Sequence, residues 1–485
     1  MNDSSAVADP PLLVPSLLFV TFVVAVVGSL GAPLITSVAT TFRVPLSSAQ
    51  WTLTMPLLTG AIATPMMGRL GAGPHRRGTV LGTLFVVVFG SLLTALPFSF
   101  VWLIVGRGVQ GVGLGLPALM MGVARDHVSP PRAPSTMSLI SVASTISVGI
   151  GYPVAGLVTE IAGVRAAYSI GVVVSLAAFL VALKAVPKPP PLRSSVLDVR
   201  GALLLAFGIF PVILVASETS LWSRHLAISV SLVIIAALIL SFWWSLERRT
   251  ASPLVDVRLL RRRAVTAANS AMFIGGVGMY LLLTLITRYS QTLQVAGYGF
   301  GLTTFTAGLV LVPFSVAGFL AGRIVPRVRK RLDAHLLLTG SSLVVLSAFA
   351  FFALGRSGFV ILLLAMAILG FGVGSFSAAM PAVILIAMPK SETSSAMSFN
   401  LVVRSVGFSL GSALGGLILA AGTSTGGVFP SDKSYTVASL VGGAAMVLAA
   451  IVSFVLALQE ESMSIANSRC CRFLASSALC LSKLL

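Results

Sequence analysis

Fourteen long apolar segments, separated by short polar loops, limit what this chain can fold into. A helix needs about 20 predominantly apolar residues to cross the hydrocarbon core of a bilayer. Lipid offers no hydrogen bonds to backbone groups, so segments of this kind form helices. The sequence therefore predicts an all-α membrane protein with about 14 transmembrane helices, at approximately 13–35, 51–69, 79–97, 100–123, 136–158, 165–186, 199–217, 226–246, 265–286, 303–323, 335–354, 358–380, 396–421 and 437–458.

The charges agree with a membrane protein and give it an orientation. Charged residues make up 9% of the chain and hydrophobic residues 56%, which excludes an ordinary soluble domain. The net charge of +19 would suggest nucleic-acid binding only if the positions of the charges were ignored. If the N-terminus is cytoplasmic, 24 of the 32 lysines and arginines fall in inner loops and 6 in outer loops. This bias predicts that both termini are cytoplasmic, in the cell membrane, with no nucleic acid as partner.

The spans divide into two blocks of six with two extra spans between them. We predict an N-terminal six-helix bundle over 1–187, a linker with two extra transmembrane helices over 188–263, and a C-terminal six-helix bundle over 264–458. The remaining residues, 459–485, contain all three cysteines and are predicted to form a disordered cytoplasmic tail.

The two blocks repeat the same landmarks. Met67-Gly-Arg-Leu70 ends the second span of the first block, and Ala321-Gly-Arg-Ile324 ends the second span of the last block. A glycine-rich run, Gln110–Gly115, has its counterpart in Leu369–Gly374. Repeated halves related by a pseudo-two-fold axis are typical of secondary transporters that work by alternating access.

Arg107 lies in the middle of an apolar span. A guanidinium at that depth is costly, so we expect it to face a polar interior or a water-filled cavity. Gln110 lies one turn further along a similar helix face. These residues predict a substrate or coupling cavity, although an arginine near a helix end can also snorkel to the headgroups.

A second polar pair lies in the thirteenth span. Arg404 is about eight residues into that span, with Asn400 one turn before it. We assign both to the cavity together with Tyr152, and snorkelling of Arg404 stays an alternative. Other residues that could contact substrate are Tyr280, Thr284, Gln291 and Gln294.

Small residues and a proline in α-helical spans indicate possible hinges. A proline inside a helix removes a backbone hydrogen bond, which membrane bundles can accommodate. Such positions could be hinges, or they could only allow close helix packing. The residues concerned are Gly111, Gly113, Gly115, Gly151, Pro153 and Gly156.

The chain resembles the major facilitator superfamily over residues 13–458, and in particular its fourteen-span drug:proton antiporter branch. The stretch Gly68–Arg77 resembles the family's cytoplasmic loop motif, whose basic positions here are Arg69, Arg76 and Arg77. Leu103–Gly115 closely resembles the fourth-span motif, and Gly149–Gly156 resembles the fifth-span antiporter motif. The loop motif departs from the family at Ala72 and His75, where an Asp and a Gly are usual.

This resemblance implies a secondary active transporter that exports small amphiphilic compounds or drugs. An uptake permease for a metabolite and a non-transporting membrane sensor or scaffold are the alternatives. No P-loop, metal-ligand spacing or catalytic constellation occurs in the sequence, so we predict neither enzymatic activity nor a metal or other cofactor.

The positions of the thirteen acidic residues predict which substrate charge the cavity prefers. None lies in the middle of a span, whereas Arg107 and Arg404 do. We therefore expect neutral or anionic amphiphiles to be favoured over cations. If protons drive transport, Glu160 is the best-placed carrier, four residues after Gly156. The protein is expected to act as a monomer in the bilayer.

Overall fold

The computed structural model describes residues 12–481, except 32–33, 45, 50, 72–73, 97, 188–197, 218–220, 222–224, 251–252, 254–256, 261–262, 388–392 and 424–428. Side chains of some further helical residues, and of all residues after 458, are also outside the description. The described residues form helices and one isolated bridge between Thr423 and Pro430.

A helical segment lies at each of the fourteen predicted spans, so the predicted fold class is confirmed. The segments are α1 (Leu13–Ser29), α2 (Trp51–Leu70), α3 (Arg76–Ala95), α4 (Phe100–His127), α5 (133–162), α6 (164–185), α7 (Val199–Ser217), α8 (Leu226–Glu247), α9 (Arg263–Gln291), α10 (Thr304–Val328), α11 (Ala334–Gly355), α12 (Phe359–Ala387), α13 (Thr393–Ala421) and α14 (Asp432–Leu481). Ten helices of the described part, with α5 and α6 counted as one, are long and apolar enough to span a membrane.

Local sequence explains the breaks in these helices. The division between α5 and α6 lies at Gly163, whose φ of 81° suits glycine better than any residue with a side chain. A 3₁₀ turn interrupts α4 at Val112–Gly115, within the glycine-rich run. Two short helices, Ile35–Phe42 and Leu46–Ala49, connect α1 to α2 on the predicted outer side.

The end of α14 differs from the sequence prediction. Residues from 459 onward were predicted to form a disordered tail, whereas α14 continues as a helix to Leu481. Polar and charged residues become frequent after residue 458, where the apolar run of the last span ends. The prediction relied on the poor periodicity of the tail, whereas the structure gives a helix there, and the cytoplasmic location of the tail stays a prediction.

Helices α1–α6 form a first half and α9–α14 a second half, and they meet mainly along α5. Helix α5 packs against α10 and α12, and α2 packs against α13. Of the two extra helices, α7 packs against α2 and α13, while α8 packs against α7. The two halves thus enclose a space between α2, α5, α9, α10 and α13.

Candidate functional site

A cavity of about 260 Å³ lies between the two halves. It is bounded by α2 and α5 of the first half and by α9, α10 and α13 of the second. Its wall also includes Ile35, at the start of the short helix after α1. The lining side chains include Leu53, Thr54, Leu57, Tyr152, Tyr280, Leu283, Thr284, Thr287, Arg288, Gln291, Thr304, Ser405, Phe408, Ser409 and Ser412.

The cavity wall is amphipathic. The rings of Tyr280 and Phe408 stack with centroids 5.1 Å apart and an angle of 23° between their planes. Tyr152 lies on the first half's side of the cavity, and Thr284 and Thr287 extend the wall along α9. Apolar and aromatic surface with a few hydroxyl groups is the usual lining of a small-molecule site.

The cavity reaches the predicted outer side of the bundle. Its rim includes Arg288 and Gln291, both exposed, at the end of α9, and Thr304 at the start of α10. At the other side, the Ser138 hydroxyl on α5 donates to the Ala378 carbonyl on α12 at 2.7 Å. Helix α13 also packs there against the Leu116–His127 part of α4. The structure is therefore open toward the predicted outside and closed toward the predicted cytoplasm.

A smaller chamber of about 50 Å³ lies below the main cavity, and Arg404 lines it. The chamber shares Tyr280, Leu283 and Phe408 with the main cavity. Arg404 also lies over the Phe408 ring, with its guanidinium carbon 5.7 Å from the ring centroid. The structure thus places Tyr152 in the wall of the main cavity and Arg404 in the wall of the chamber, and their role in substrate binding stays a prediction.

Arg107 lies elsewhere, inside the first half, and is fully buried. Its guanidinium donates to the Val27 and Gly28 carbonyls, each at 2.8 Å, and to the Thr52 carbonyl at 2.7 Å. The prediction that it lines the cavity is not met, because neither cavity includes it.

Three backbone carbonyls that lack an amide partner within their own helices explain the position of Arg107. The carbonyls of Val27 and Gly28 belong to the last turn of α1, where no later amide within the helix can reach them. The Thr52 carbonyl in α2 faces position 56, which is Pro56 and has no N–H. Arg107 thus supplies the donors that two helices lack in the membrane interior.

Gln110 and Asn400 also lie outside the cavity. Gln110 accepts from Arg107 at 2.7 Å and donates to Ser91 and Thr94 on α3, each at 3.1 Å. Asn400 donates to Asn269 on α9 at 2.9 Å, within the second half. Both amides are buried and pair with neighbouring helices, so they stabilise packing rather than face a substrate.

The small residues of α5 pack against its neighbours. A side-chain carbon at Gly151 would lie 2.9 Å from the Ser29 hydroxyl on α1, and one at Gly156 would lie 3.0 Å from the Phe305 backbone on α10. Pro153 lies against Gly308 of α10. These contacts show the close packing that was one of the two predicted roles, and the hinge role stays a prediction.

Glu160 lies at the predicted outer end of α5, exposed and away from the cavity wall. Its carboxylate accepts a hydrogen bond of 3.1 Å from the Phe305 N–H in the first turn of α10. An acid in this position caps a helix N-terminus, here a helix of the other half.

The glycines of α4 face the neighbouring helices α2 and α3. Side-chain carbons at Gly111, Gly113 and Gly115 would lie 2.0, 2.6 and 3.0 Å from atoms of Thr59, Val87 and Met67, respectively. Close approach of α2 and α3 to α4 is therefore possible only without side chains at these positions.

The loop motif joins α3 to neighbouring helices. Arg76 is buried and forms an ion pair with Asp126 near the end of α4. Arg77 donates to the Leu183 carbonyl of α6 at 2.8 Å. Gly68 is buried in α2 and Arg69 half-buried beside it. All these contacts lie within the first half.

Sequence reasoning missed the face of α13 that lines the cavity. The residues on this face are mostly small or polar and recur at helical spacing, and a search for charged residues does not detect such a pattern. Tyr280, Thr284 and Gln291, predicted only as possible contacts, line the cavity. The missed α13 residues are Ser405, Phe408, Ser409, Ser412, Ala413 and Gly416.

Several proteins whose names refer to multidrug or methyl viologen resistance are similar to this chain. The Multidrug resistance protein B homolog of Mycobacterium tuberculosis is 26% identical over 76% of this chain and 68% of its own length. The Methyl viologen resistance protein SmvA of Salmonella typhimurium is 26% identical over 73% of this chain and 71% of its own length. The Putative multidrug resistance protein MdtD of Serratia proteamaculans is 24% identical, with 75% of each chain covered.

A solved structure and a family model agree on the fold. The crystal structure of the human organic anion transporter MFSD10 (TETRAN) superposes with a TM-score of 0.61 at 14% identity, over 92% of this chain and all of that one. The family model of the Major Facilitator Superfamily matches residues 17–411. Together with the two helical halves and the cavity between them, this match identifies the chain as a multi-pass membrane transporter, not an enzyme, that belongs to the Major Facilitator Superfamily.

Proposed function

We propose that this protein exports small amphiphilic compounds across the cell membrane by alternating access. The cavity between the halves carries this proposal, because it is open on one side only and has an amphipathic wall. Rocking of the halves about the α5–α10 contact would expose the same cavity to either side in turn. The names of the relatives favour drug efflux over the uptake permease and the sensor or scaffold that the sequence left open.

We further propose that the closed side is cytoplasmic and that both termini lie there. The bias of basic residues supports this orientation. The division into bundles over 1–187 and 264–458, with an extra pair of helices over 188–263, is part of the same proposal. Since one chain builds the whole cavity, we expect a monomer in the bilayer to suffice for transport.

The charge of the cavity supports a preference for neutral or anionic amphiphiles. Arg288 is at its rim and Arg404 below it, and its described lining contains no acidic side chain. A like charge at short range in a low-dielectric site is costly for a cationic substrate. Lipophilic cations are the second candidate, because methyl viologen appears in the name of one relative.

Substitution of Ser412 by tryptophan tests whether this cavity is the transport path. Ser412→Trp should fill the space between α9 and α13 and abolish export of a panel of neutral, anionic and cationic dyes from efflux-deficient cells. Gly340→Trp is the matched control, since Gly340 is exposed on α11 with no other atom within 4 Å of an added side-chain carbon. Unchanged dye accumulation in cells with Ser412→Trp, at equal protein abundance, would refute the cavity as the path. Robust export of ethidium by the unmodified protein would refute the charge preference.

A further inference from the structure

The small chamber below the main cavity contains a cation with weak partners. The Arg404 guanidinium donates to the Thr145 hydroxyl at 3.3 Å and to the Ser144 hydroxyl at 3.4 Å. Both distances exceed the range of ordinary N–H···O bonds, and arginine side chains stay protonated in proteins. The described lining of the chamber contains no acidic side chain. An anion would therefore be a stronger acceptor for Arg404 than either hydroxyl.

The partners of Arg404 belong to the closed side of the protein. Ser144 and Thr145 are on α5 of the first half, whereas Arg404 is on α13 of the second. Thr145 also forms a hydrogen bond of 3.2 Å with Ser377 on α12. Ser138, two turns earlier on α5, bonds to the Ala378 carbonyl. Arg404 is thus one of the few polar groups that join the halves below the cavity.

The aromatic pair above Arg404 suits the other end of an amphiphile. Phe408 and Tyr280 belong to both the main cavity and the small chamber. A planar apolar group can lie beside their stacked rings while an acidic group reaches Arg404. The chamber, at about 50 Å³, has room for a small group such as a carboxylate or sulfonate, but not for the body of the molecule.

We infer that the chamber binds the acidic group of a transported aromatic anion, and that this binding takes Arg404 away from Ser144 and Thr145. The anion thereby removes a bond between the halves and favours opening of the closed side. This inference rests on the proposed transport through the main cavity. It adds the substrate class, an aromatic carboxylate or sulfonate, and the residue through which that substrate promotes the conformational change.

A matched pair of probes tests the inference. Transport of naphthalene-2-sulfonate and of the neutral naphthalene-2-sulfonamide is measured in proteoliposomes that contain the full chain. Arg404→Gln should lower sulfonate transport at least about 10-fold, the loss expected for one charged hydrogen-bonding contact, and leave sulfonamide transport within about 2-fold. Arg165→Gln is the control, because it removes the same charge from an exposed position at the start of α6 that lines neither the main cavity nor the chamber. It should change the sulfonate-to-sulfonamide ratio by less than about 3-fold.

A second variant separates anion binding from closure of the protein. Ser144→Ala combined with Thr145→Val removes the partners of Arg404 but keeps its charge. We expect a cysteine introduced at Ala378 to react faster with a thiol reagent from the closed side in this variant without substrate. In the otherwise unmodified protein the sulfonate should accelerate the same reaction, and in Arg404→Gln it should not.

Different outcomes refute different claims. If Arg404→Gln lowers transport of the sulfonate and of the sulfonamide equally, or lowers neither, the inference is overturned. Transport through the cavity would still stand. A reaction at position 378 that the sulfonate does not change would overturn its conformational part. Failure of the unmodified protein to transport any amphiphile would refute the proposed function itself.

Discussion

A buried cation can stabilise the fold rather than bind the substrate, and Arg107 is an example. Arg107 donates to backbone carbonyls of two helices, one at a helix end and one opposite a proline. Arg404 donates, among the described residues, to two hydroxyl groups over long distances, and it lines a chamber. The strength of the existing partners, rather than depth in the membrane, therefore distinguishes Arg107 from Arg404.

Replacement of Arg107 should destabilise the protein. Arg107→Ala leaves the Val27, Gly28 and Thr52 carbonyls without donors, and each buried group left unpaired costs about 1–3 kcal/mol. We expect a loss of at least about 3 kcal/mol in the free energy of unfolding, with lower abundance in the membrane. Thermal unfolding of the purified variant measures this effect. Wild-type stability combined with lost transport would contradict it and restore a direct role in the cavity.

Glu160 can be tested separately as a proton carrier and as a helix cap. Glu160→Gln keeps an oxygen that can accept from the Phe305 N–H, so the contact between α5 and α10 should persist. If Glu160 carries the proton, this variant should no longer respond to a pH gradient while it still exchanges substrate. Transport in proteoliposomes with and without the gradient measures both properties, and undiminished proton coupling would exclude Glu160 as the carrier.

Helices are the scale at which the sequence was most informative. Each predicted span coincides with a helical segment because hydrophobic length decides whether a segment can cross a bilayer. The partners of Arg107 and Asn400 could not be predicted, since they depend on how α1, α2 and α9 pack in three dimensions. The cavity face of α13 was missed because serines and glycines serve equally in helix packing and in substrate contact.

The proposed rocking motion depends on the contact between α5 and α10. A side-chain carbon at Gly149 would lie 2.6 Å from the Leu311 carbonyl, and a backbone atom cannot move aside as a flexible side chain can. Gly149→Val should therefore force the halves apart, cost about 1–3 kcal/mol and lower transport at least about 10-fold. Gly82→Val, with nothing within 4 Å, is the control for abundance and transport. Equal transport by both variants would contradict the role of this contact.

The whole molecule has an orientation that two reporters can test. The bias of basic residues predicts that the loop after α8 is cytoplasmic and that the loop before α14 is outside. A topology reporter fused after Arg263 should therefore report cytoplasm, and one inserted at Ser431 should report the exterior. Reversed signals at both positions would invert the orientation and, with it, the side to which the cavity opens.

Labelling of one cavity position in a transporting protein shows whether substrates pass between the two halves. Ser412 is replaced by cysteine after Cys470, Cys471 and Cys480 are changed to serine, and transport is measured before and after a membrane-impermeant thiol reagent is added outside. We expect the reagent to stop transport, and an excess of transported compound to protect position 412 from it. Full transport after complete modification of the cysteine at position 412 would show that substrates do not pass between the two halves.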